Sequence, residues 1–322
     1  MRRKSIWLGI FLSGIALVSG LPAFANTFVI NPTFTSNFNT EFGANAATAQ
    51  AAWTSAANVF TTNFSDNITV NITVDAVSGT SVFGQSSTSL QSVSYADLRN
   101  AVIADAKTAD DATAIGPGGS VTAVDPVFGT HTWWVTTAQA KALGIPNNAN
   151  NDGTTTFGAG FNYTFSGPVG TGTYDFKGLA AHEISEVLGR LGIGGGTLDT
   201  TTNSYTLIDL FSYSGAGARV LGNGGGLGQQ GSFSIDNGTT LLKQYNDQFS
   251  NHLDLRDWAG GTNDSFNQFS NSGVTNPVSV VDLREMDVIG YDGVAASPEP
   301  STGILLVSGL VAGGYLRRRR KS

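Results

Sequence analysis

Three residues on one predicted helix, His182, Glu183 and Glu186, have side chains that together could hold a metal ion and activate a water molecule. The run Phe176 to Leu191 has no internal proline, and its apolar residues recur at helical spacing, which predicts one buried helix. His182 and Glu186 are then one turn apart on the same face, near enough to bind one ion. Glu183 is the next residue along, placed to hold a water rather than the metal. The motif is H-E-x-x-E.

Glutamate is rare in this chain, which makes its concentration on one helix informative. Five of the 322 residues are glutamate and three are histidine. The other helix-like runs, 45 to 63 and 95 to 107, contain no glutamate. The alternative is that glutamate serves only as a good helix former and that His182 is an ordinary core histidine. However, two carboxylates and a histidine on a mostly apolar helix need a partner when they are buried, which favours a metal site.

The third protein ligand of such a site must come from elsewhere in the chain. A catalytic zinc centre takes three protein ligands and keeps one position open. After the helix the candidates are His252, Asp209, Asp254 and Asp257. His252 is preferred, because it lies in a polar stretch where a histidine has no evident core role, whereas His131, beside two tryptophans, is expected to be structural. The chain has no cysteine, so thiolate ligands and disulfides are excluded.

Before the metal helix, hydrophobic patterns alternate between those of strands and those of helices. Period-two or apolar runs predict strands, and longer runs with helical spacing or a capping residue predict helices. In chain order we expect a strand in 26 to 34, a helix in 46 to 64, a strand in 68 to 74, a helix in 94 to 106, a strand in 130 to 135, a short helix capped by Thr137 and ending at Gly144, and a strand in 155 to 165. Residues 79 to 92 are expected to form a loop.

After the metal helix the chain becomes rich in glycine. The expected elements there are short strands near 205 to 213 and 232 to 235 and a helix at 280 to 289. These patterns predict an α+β fold. We expect an N-terminal lobe, residues 26 to 192, with a twisted mixed sheet, helices and the metal helix at 176 to 191, followed by a loop-rich C-terminal lobe, residues 193 to 293.

The first 25 residues have the three parts of a secretory signal peptide. Arg2 to Lys4 is basic, Ile6 to Leu21 is apolar, and Ala23-Phe24-Ala25 is a small-residue cleavage site. The alternative, a transmembrane anchor, is disfavoured because polar sequence begins directly after that site. We therefore expect the mature chain to start near Asn26 and to leave the cytoplasm.

The charge of the chain excludes one class of partner. Eight of the 17 lysines and arginines lie in the two terminal segments, whereas the chain has 24 acidic residues. The body of the protein is therefore strongly acidic and would repel nucleic-acid phosphates. Its aspartate and glycine content leaves room for Ca²⁺ sites, which the sequence alone does not locate.

Residues 297 to 322 form a second three-part signal. Ser297-Pro298-Glu299-Pro300 precedes a short apolar run, Gly303 to Leu316, and the basic cluster Arg317 to Lys321 follows. The apolar run is shorter than the roughly 20 residues of an ordinary membrane span. The segment resembles the PEP-CTERM sorting signal of Gram-negative bacteria, in which an exosortase removes the tail. The resemblance implies transient anchoring in the inner membrane and then secretion or display at the cell surface. The alternative is a permanent C-terminal anchor.

The region from Asp175 to Tyr291 resembles, in patches, the metzincin zinc proteases. Their helix motif H-E-x-x-H-x-x-G is similar to H-E-x-x-E-x-x-G here, in which Gly189 is the glycine that lets the chain turn. Most metzincins carry the third ligand three residues after this glycine, where this chain has Gly192. In leishmanolysin-like members a long insertion delays that ligand, and Asn251-His252-Leu253 is similar to the later position.

Two positions differ from the metzincin pattern. Glu186 stands where the family has its second histidine, and Phe266 or Phe269 stands where the family has the methionine of its turn. Met286, in the last predicted helix, is expected in the core. The resemblance implies the following site: Zn²⁺ ligands His182, Glu186 and His252, and the general base Glu183.

The residues and the resemblance together favour an exported zinc endopeptidase that acts on protein or peptide substrates. We expect the substrate to lie extended along the edge of strand 155 to 165, with Tyr205, Tyr213 or Tyr291 as a further oxyanion donor. Arg190 either caps the end of the helix, which is the preferred interpretation, or helps to neutralise Glu186. One alternative is a catalytically inactive surface or biofilm-matrix binding protein that keeps the metal for stability. Another is an adhesin without metal.

Overall fold

The computed structural model describes residues 28 to 222, 230 to 246 and 255 to 294. The expected signal peptide, the expected sorting tail and His252 lie outside the described residues. Within them the chain combines α-helices with several mixed sheets, which confirms the α+β class. No helix in these three ranges is both long enough and apolar enough to cross a membrane.

The first sheet lies against the helix that carries the H-E-x-x-E motif. Its four strands are, in spatial order, β1 (Val29–Phe34), β2 (Thr69–Val77), β6 (Gly153–Gly158) and β3 (Gly84–Thr88). β1, β2 and β6 are parallel, whereas β3 pairs antiparallel with β6 and forms the edge of the sheet. In β2, buried residues alternate with more exposed ones, as its period-two sequence predicts.

Two helices pack against each other beside this sheet, α2 (Ala46–Asn63) and α6 (Phe176–Val187). The buried face of α2 is mostly alanine at spacings of three and four residues, which gives a narrow apolar stripe that suits close helix packing. The indole of Trp53 donates a hydrogen bond of 3.0 Å to the hydroxyl of Thr155, and both side chains are buried. This bond ties α2 to β6 and holds the sheet against the helices.

The remaining elements complete two further four-stranded sheets and one strand pair. The helices are α1 (Ser36–Phe42), α3 (Tyr95–Asp105), α4 (Ala109–Ile115), α5 (Thr137–Ala142) and α7 (Val280–Val288), with 3-10 turns at Gly43–Asn45 and Leu207–Phe211. The strands are β4 (Leu90–Val93), β5 (Thr132–Thr136), β7 (Tyr163–Thr164), β8 (Tyr174–Asp175), β9 (Gly196–Leu198), β10 (Thr201–Thr206), β11 (Ser212–Gly215), β12 (Ala218–Arg219), β13 (Ser232–Phe233) and β14 (Lys243–Gln244). The sheets have the orders β4-β5-β10-β9 and β12-β11-β13-β14, and β7 pairs with β8.

Most elements expected from the sequence are confirmed, with shifts of a few residues at their ends. The single strand expected at 155 to 165 is wrong, because this stretch contains the end of β6 and the separate strand β7, which belong to different sheets. The expectation of a loop at 79 to 92 is wrong, because this stretch contains β3 and β4. Their serine, threonine and glutamine side chains give no apolar alternation, so pairing with β6 and β5 defines these strands rather than their own sequence. The helices α1 and α4 were also missed, and α5 is capped by Thr136 rather than by Thr137.

Candidate metal centre

The helix α6 places the H-E-x-x-E residues beneath an open cleft. Its residues are nearly all buried, and the helix ends at Val187, two residues before Gly189, which has a φ of +116°. A side chain at this glycine would be strained, and its Cβ would lie 2.9 Å from the side chain of Gln139. The expected turn at the glycine after the motif is confirmed, and it directs the chain away from the helix axis.

His182, Glu186 and Asp257 form the only group of at least three potential metal ligands found in the part of the chain that the structure describes. Nε2 of His182 lies 3.3 Å from Oε1 of Glu186 and 3.6 Å from Oδ1 of Asp257. One donor atom from each residue lies within 4.8 Å of the other two. The Nδ1 atom of His182 is 2.8 Å from the carbonyl oxygen of Ser265, which can only accept. Nδ1 therefore carries the hydrogen, and Nε2 points its lone pair toward the two carboxylates when the ring is neutral.

The cluster is buried and rich in negative charge. Burial lowers the pKa of His182, but the carboxylates of Asp257 and Glu186 outweigh this effect and raise that pKa to about 10. Burial and the neighbouring carboxylate of Glu186 raise the pKa of Glu183 well above its ordinary value. Burial likewise raises the pKa of Asp257. Each of these shifts reflects three carboxylates that share one poorly solvated space, and a cation in that space relieves their repulsion.

Arg190 is part of this cluster, so the preferred expectation of a helix-end cap is wrong, and its position near Glu186 agrees with the alternative that it helps to neutralise that carboxylate. Its side chain is fully buried. Nη1 lies 2.5 Å from Oδ1 of Asp257, and Nη2 lies 3.6 Å from Oε1 of Glu186. A buried guanidinium needs carboxylate partners, and the two closest ones here are both potential metal ligands.

Asp209, one of the candidates for the third ligand, has a structural role instead. Its Oδ2 atom accepts hydrogen bonds from the backbone nitrogens of Ile193, Gly194 and Thr206. Its Oδ1 atom pairs with Arg256, at 2.8 Å from Nη2. These four contacts hold the chain that follows α6. Asp254 and His252 lie outside the described residues, so the assignment of His252 stays a prediction.

Other expected site residues lie away from the cluster. His131 pairs with Asp125 at 2.8 Å and packs edge-on against Trp133, which confirms its structural role. Tyr205, Tyr213 and Tyr291 are not among the described residues that line the cleft, so the expectation that one of them donates to an oxyanion there is wrong. The hydroxyl of Tyr291, for example, donates to the carbonyl of Leu188 in the core.

The two phenylalanines that were expected at the turn position, Phe266 and Phe269, lie in different surroundings near the cluster. Phe266 is fully buried, and the guanidinium of Arg190 lies 4.4 Å from the centre of its ring. Phe269 is 58% exposed at the cleft. Of the two phenylalanines, Phe266 is therefore the one that packs against the cluster, through Arg190. Met286 is buried, as expected.

The cleft above the cluster has a volume of about 520 Å³. Its floor includes all three motif residues, and its walls come from β3 on one side and from the segment 264 to 270 on the other. The expectation that a substrate strand pairs with 155 to 165 is wrong, because β6 already pairs with β2 and β3 on its two sides. The edge strand beside the cleft is β3. It approaches so closely that a Cβ at Gly84 would lie 2.3 Å from Oε1 of Glu183.

Sequence patterns pointed to the helix and its three polar residues but not to β3, whose composition gives no strand signal. Asp257 was one of four candidates, and no spacing rule separated it from the others.

No protein-family model, curated protein or solved structure matches this chain significantly. The function is therefore inferred from the residues of the cleft and their geometry.

Proposed function

We propose that this protein is an exported zinc-dependent endopeptidase with the two-lobed, leishmanolysin-like architecture of the metzincins. The observation that carries the proposal is the convergence of His182, Glu186 and Asp257 at the floor of an open cleft, with Glu183 beside them. If His182 served only the core, its side chain would not need two acidic partners within 4 Å.

The donor atoms fit a transition metal better than Ca²⁺. Calcium takes six to eight oxygen ligands, whereas this cluster offers an imidazole nitrogen and two carboxylates. Zinc binds histidine, glutamate and aspartate, commonly with three protein ligands and an open position. A bound Zn²⁺ would lower the pKa of a water molecule and polarise a peptide carbonyl. The side chain of His182 is 14% exposed at the cleft, which leaves an approach for water and substrate.

The third ligand in this proposal is Asp257, because its carboxylate is already beside His182 and Glu186. The sequence-based alternative is His252, which precedes Asp257 by five positions. The two assignments give different formal charges at the metal, so they are chemically distinct and separable by experiment.

Glu183 serves as the general base. Its carboxylate lies between α6 and β3 at the cleft, beside the proposed ligands, where it can reach a water molecule bound there. It takes a proton from the attacking water and delivers it to the leaving amine. The substrate lies extended beside β3, where the backbone groups on the outer edge of Gly84 to Thr88 can bond to a peptide.

The two terminal segments support an extracellular location. A signal peptide at 1 to 25 would export the chain, and the tail at 297 to 322 would pass through the membrane until an exosortase-type enzyme removes it. The substrates would then be proteins or peptides outside a Gram-negative cell.

The first experiment measures the metal content of the purified protein by elemental analysis. We expect about one zinc per chain, lost or strongly weakened in Asp257→Ala and retained in His252→Ala. The reverse pattern would make His252 the third ligand. A wild-type protein without metal under zinc-replete conditions would exclude a zinc peptidase.

The second experiment tests catalysis with Glu183→Gln, which is nearly isosteric. We expect hydrolysis of unfolded casein to fall at least about 100-fold, because general-base catalysis contributes on the order of 10²–10⁴. Zinc content and melting temperature should stay close to those of the wild type. If wild type and variant bind zinc and neither hydrolyses any unfolded protein, the alternative of an inactive, metal-stabilised surface or matrix protein replaces the peptidase.

A further inference from the structure

Arg190 is the buried cation nearest to the candidate ligands. Its exposed fraction is 1%, and its two Nη atoms approach Asp257 at 2.5 Å and Glu186 at 3.6 Å. Glu183 adds a third carboxylate to the same space. A guanidinium keeps its charge at every pH that a protein tolerates. It is therefore a permanent positive charge within a site that also attracts a metal ion.

The arginine also contacts the parts of the chain that position His182. Its Nε donates to the hydroxyl of Ser185 at 2.8 Å, and that hydroxyl donates to the carbonyl of His182 at 2.6 Å. Its planar face lies 4.4 Å from the ring centre of Phe266, and the residue before Phe266 accepts the hydrogen bond from His182 Nδ1. One side chain thus links all three candidate ligands.

The second carboxylate ligand creates a charge problem that Arg190 solves. Glu186 and Asp257 together cancel the charge of a divalent ion, and the guanidinium restores one positive charge. A divalent site with two histidines and one carboxylate has that same formal charge. Glu285 lies near Arg190, but burial raises its pKa to about 8, although Arg190 and the hydrogen bond from Tyr245 both act to lower it. It is therefore mostly protonated at neutral pH and leaves this charge in place.

We propose that Arg190 is a fixed counter-cation of the H-E-x-x-E centre, which holds the two carboxylates together without metal and competes electrostatically with the metal when it binds. The proposal rests on the metal site put forward above and adds to it a positioning residue for the ligands. Two consequences follow. The metal-free protein keeps a folded site, and the bound metal is held less tightly than the same ligands would hold it without Arg190.

The experiment compares full-length protein carrying Arg190→Met, Arg190→Lys or the control Arg219→Met. Methionine keeps the length of the side chain and removes its charge, whereas lysine keeps the charge and loses the planar fork. Arg219 is a suitable control because it lies outside the cleft and binds backbone carbonyls, including that of Ser120 at 2.7 Å. Melting temperature is measured with excess Zn²⁺ and with excess chelator, and the zinc dissociation constant by competition with a chelating dye.

The expected result is a loss of stability that depends on the metal. Chelation should lower the melting temperature of the wild type by less than about 5 °C and that of Arg190→Met by at least about 10 °C. Arg190→Met should bind Zn²⁺ at least about tenfold more tightly, because a repelling charge has been removed. Arg190→Lys should respond to chelation as the wild type does, and Arg219→Met should lose similar stability in both conditions.

Two outcomes would overturn the proposal while leaving the metal site intact. One is an equal loss of stability by Arg190→Met with and without zinc, and the other is weaker zinc binding by this variant, since both indicate a purely structural arginine. If Arg190→Met does not fold in either condition, Arg190→Lys decides, and a large loss on chelation in that variant counts against the proposal. A wild type that binds no zinc would instead overturn the proposed function itself.

Discussion

Gly84 lies where the edge strand β3 meets Glu183, the proposed general base. A single methyl group at Gly84 should therefore lower activity much more than stability. A Cβ at this position would lie 2.3 Å from Oε1 of Glu183 and 2.7 Å from Cδ1 of Leu179. Ordinary contacts begin near 3.4 Å. In Gly84→Ala the carboxylate must therefore move by about 1 Å, away from the position that it has in the wild type.

The expected effects on rate and on stability differ in size. A misplacement of about 1 Å can lower a rate about 100-fold, because proton transfer requires hydrogen-bond geometry. Overpacking costs about 1–3 kcal/mol, and the lower end applies here since both clashing atoms are at the ends of flexible side chains. About 1 kcal/mol corresponds to a decrease of roughly 2–4 °C in melting temperature for a domain of this size.

The assay combines casein hydrolysis, thermal melting and zinc content on the same preparations. The matched control is Gly215→Ala, because Gly215 is also in a strand and a Cβ there would have no atom within 4 Å. We expect Gly84→Ala to bind zinc normally, to melt slightly lower and to lose nearly all activity. Wild-type activity in Gly84→Ala would refute the placement of Glu183 as the base against β3. If Gly84→Ala lost zinc as well as activity, the prediction that Glu183 can be displaced without disturbing the metal ligands would be refuted.

Two further predictions concern stability. Burial and, to a smaller extent, the charge of Asp292 raise the pKa of Asp66 to about 7. The folded chain therefore holds the proton of the Asp66 carboxyl more tightly than the unfolded chain does. The free energy of unfolding falls as pH rises from about 4 to about 7. Asp66→Asn should therefore raise the melting temperature at pH 8 by about 2–6 °C and change it little at pH 4, and an equal shift at both pH values would contradict this account. Gly189→Ala should cost about 1–3 kcal/mol in urea unfolding, because its φ of +116° strains any side chain and its Cβ would meet Gln139; an unchanged urea midpoint would contradict this.

The parts of the fold that sequence patterns predicted are those in which local spacing and burial agree. β2 alternates strictly, and α2 has apolar residues at three- and four-residue spacing, so each could be placed without knowledge of its partners. β3 could not, because an edge strand rich in serine and glutamine gets its conformation from its pairing with β6. For this reason the substrate-binding edge expected from the sequence, 155 to 165, lies one strand further into the sheet than β3, the edge now proposed.

The same distinction applies to the site. His182 and Glu186 are one helical turn apart, a local relation that the sequence displays directly. Asp257 is 71 positions further along than Glu186, and its approach depends on the tertiary structure. The pairing of Arg190 with Asp257 could not be predicted for a related reason. Its position in the last turn predicts a capping interaction, whereas its partner Asp257 belongs to a distant segment.

Gly192 explains how Asp257 comes to the site. This is the position where most metzincins carry their third ligand, and a Cβ here would lie only 2.1 Å from Cγ of Arg256. The side chain of Arg256 thus lies across Gly192 and reaches Asp209, which also holds the backbone of the turn after α6. The absence of a side chain at Gly192 lets the segment that carries Arg256 pack directly on this turn. The next residue, Asp257, is thereby brought beside the motif helix, so the proposed site takes its third ligand from a distant segment rather than from Gly192.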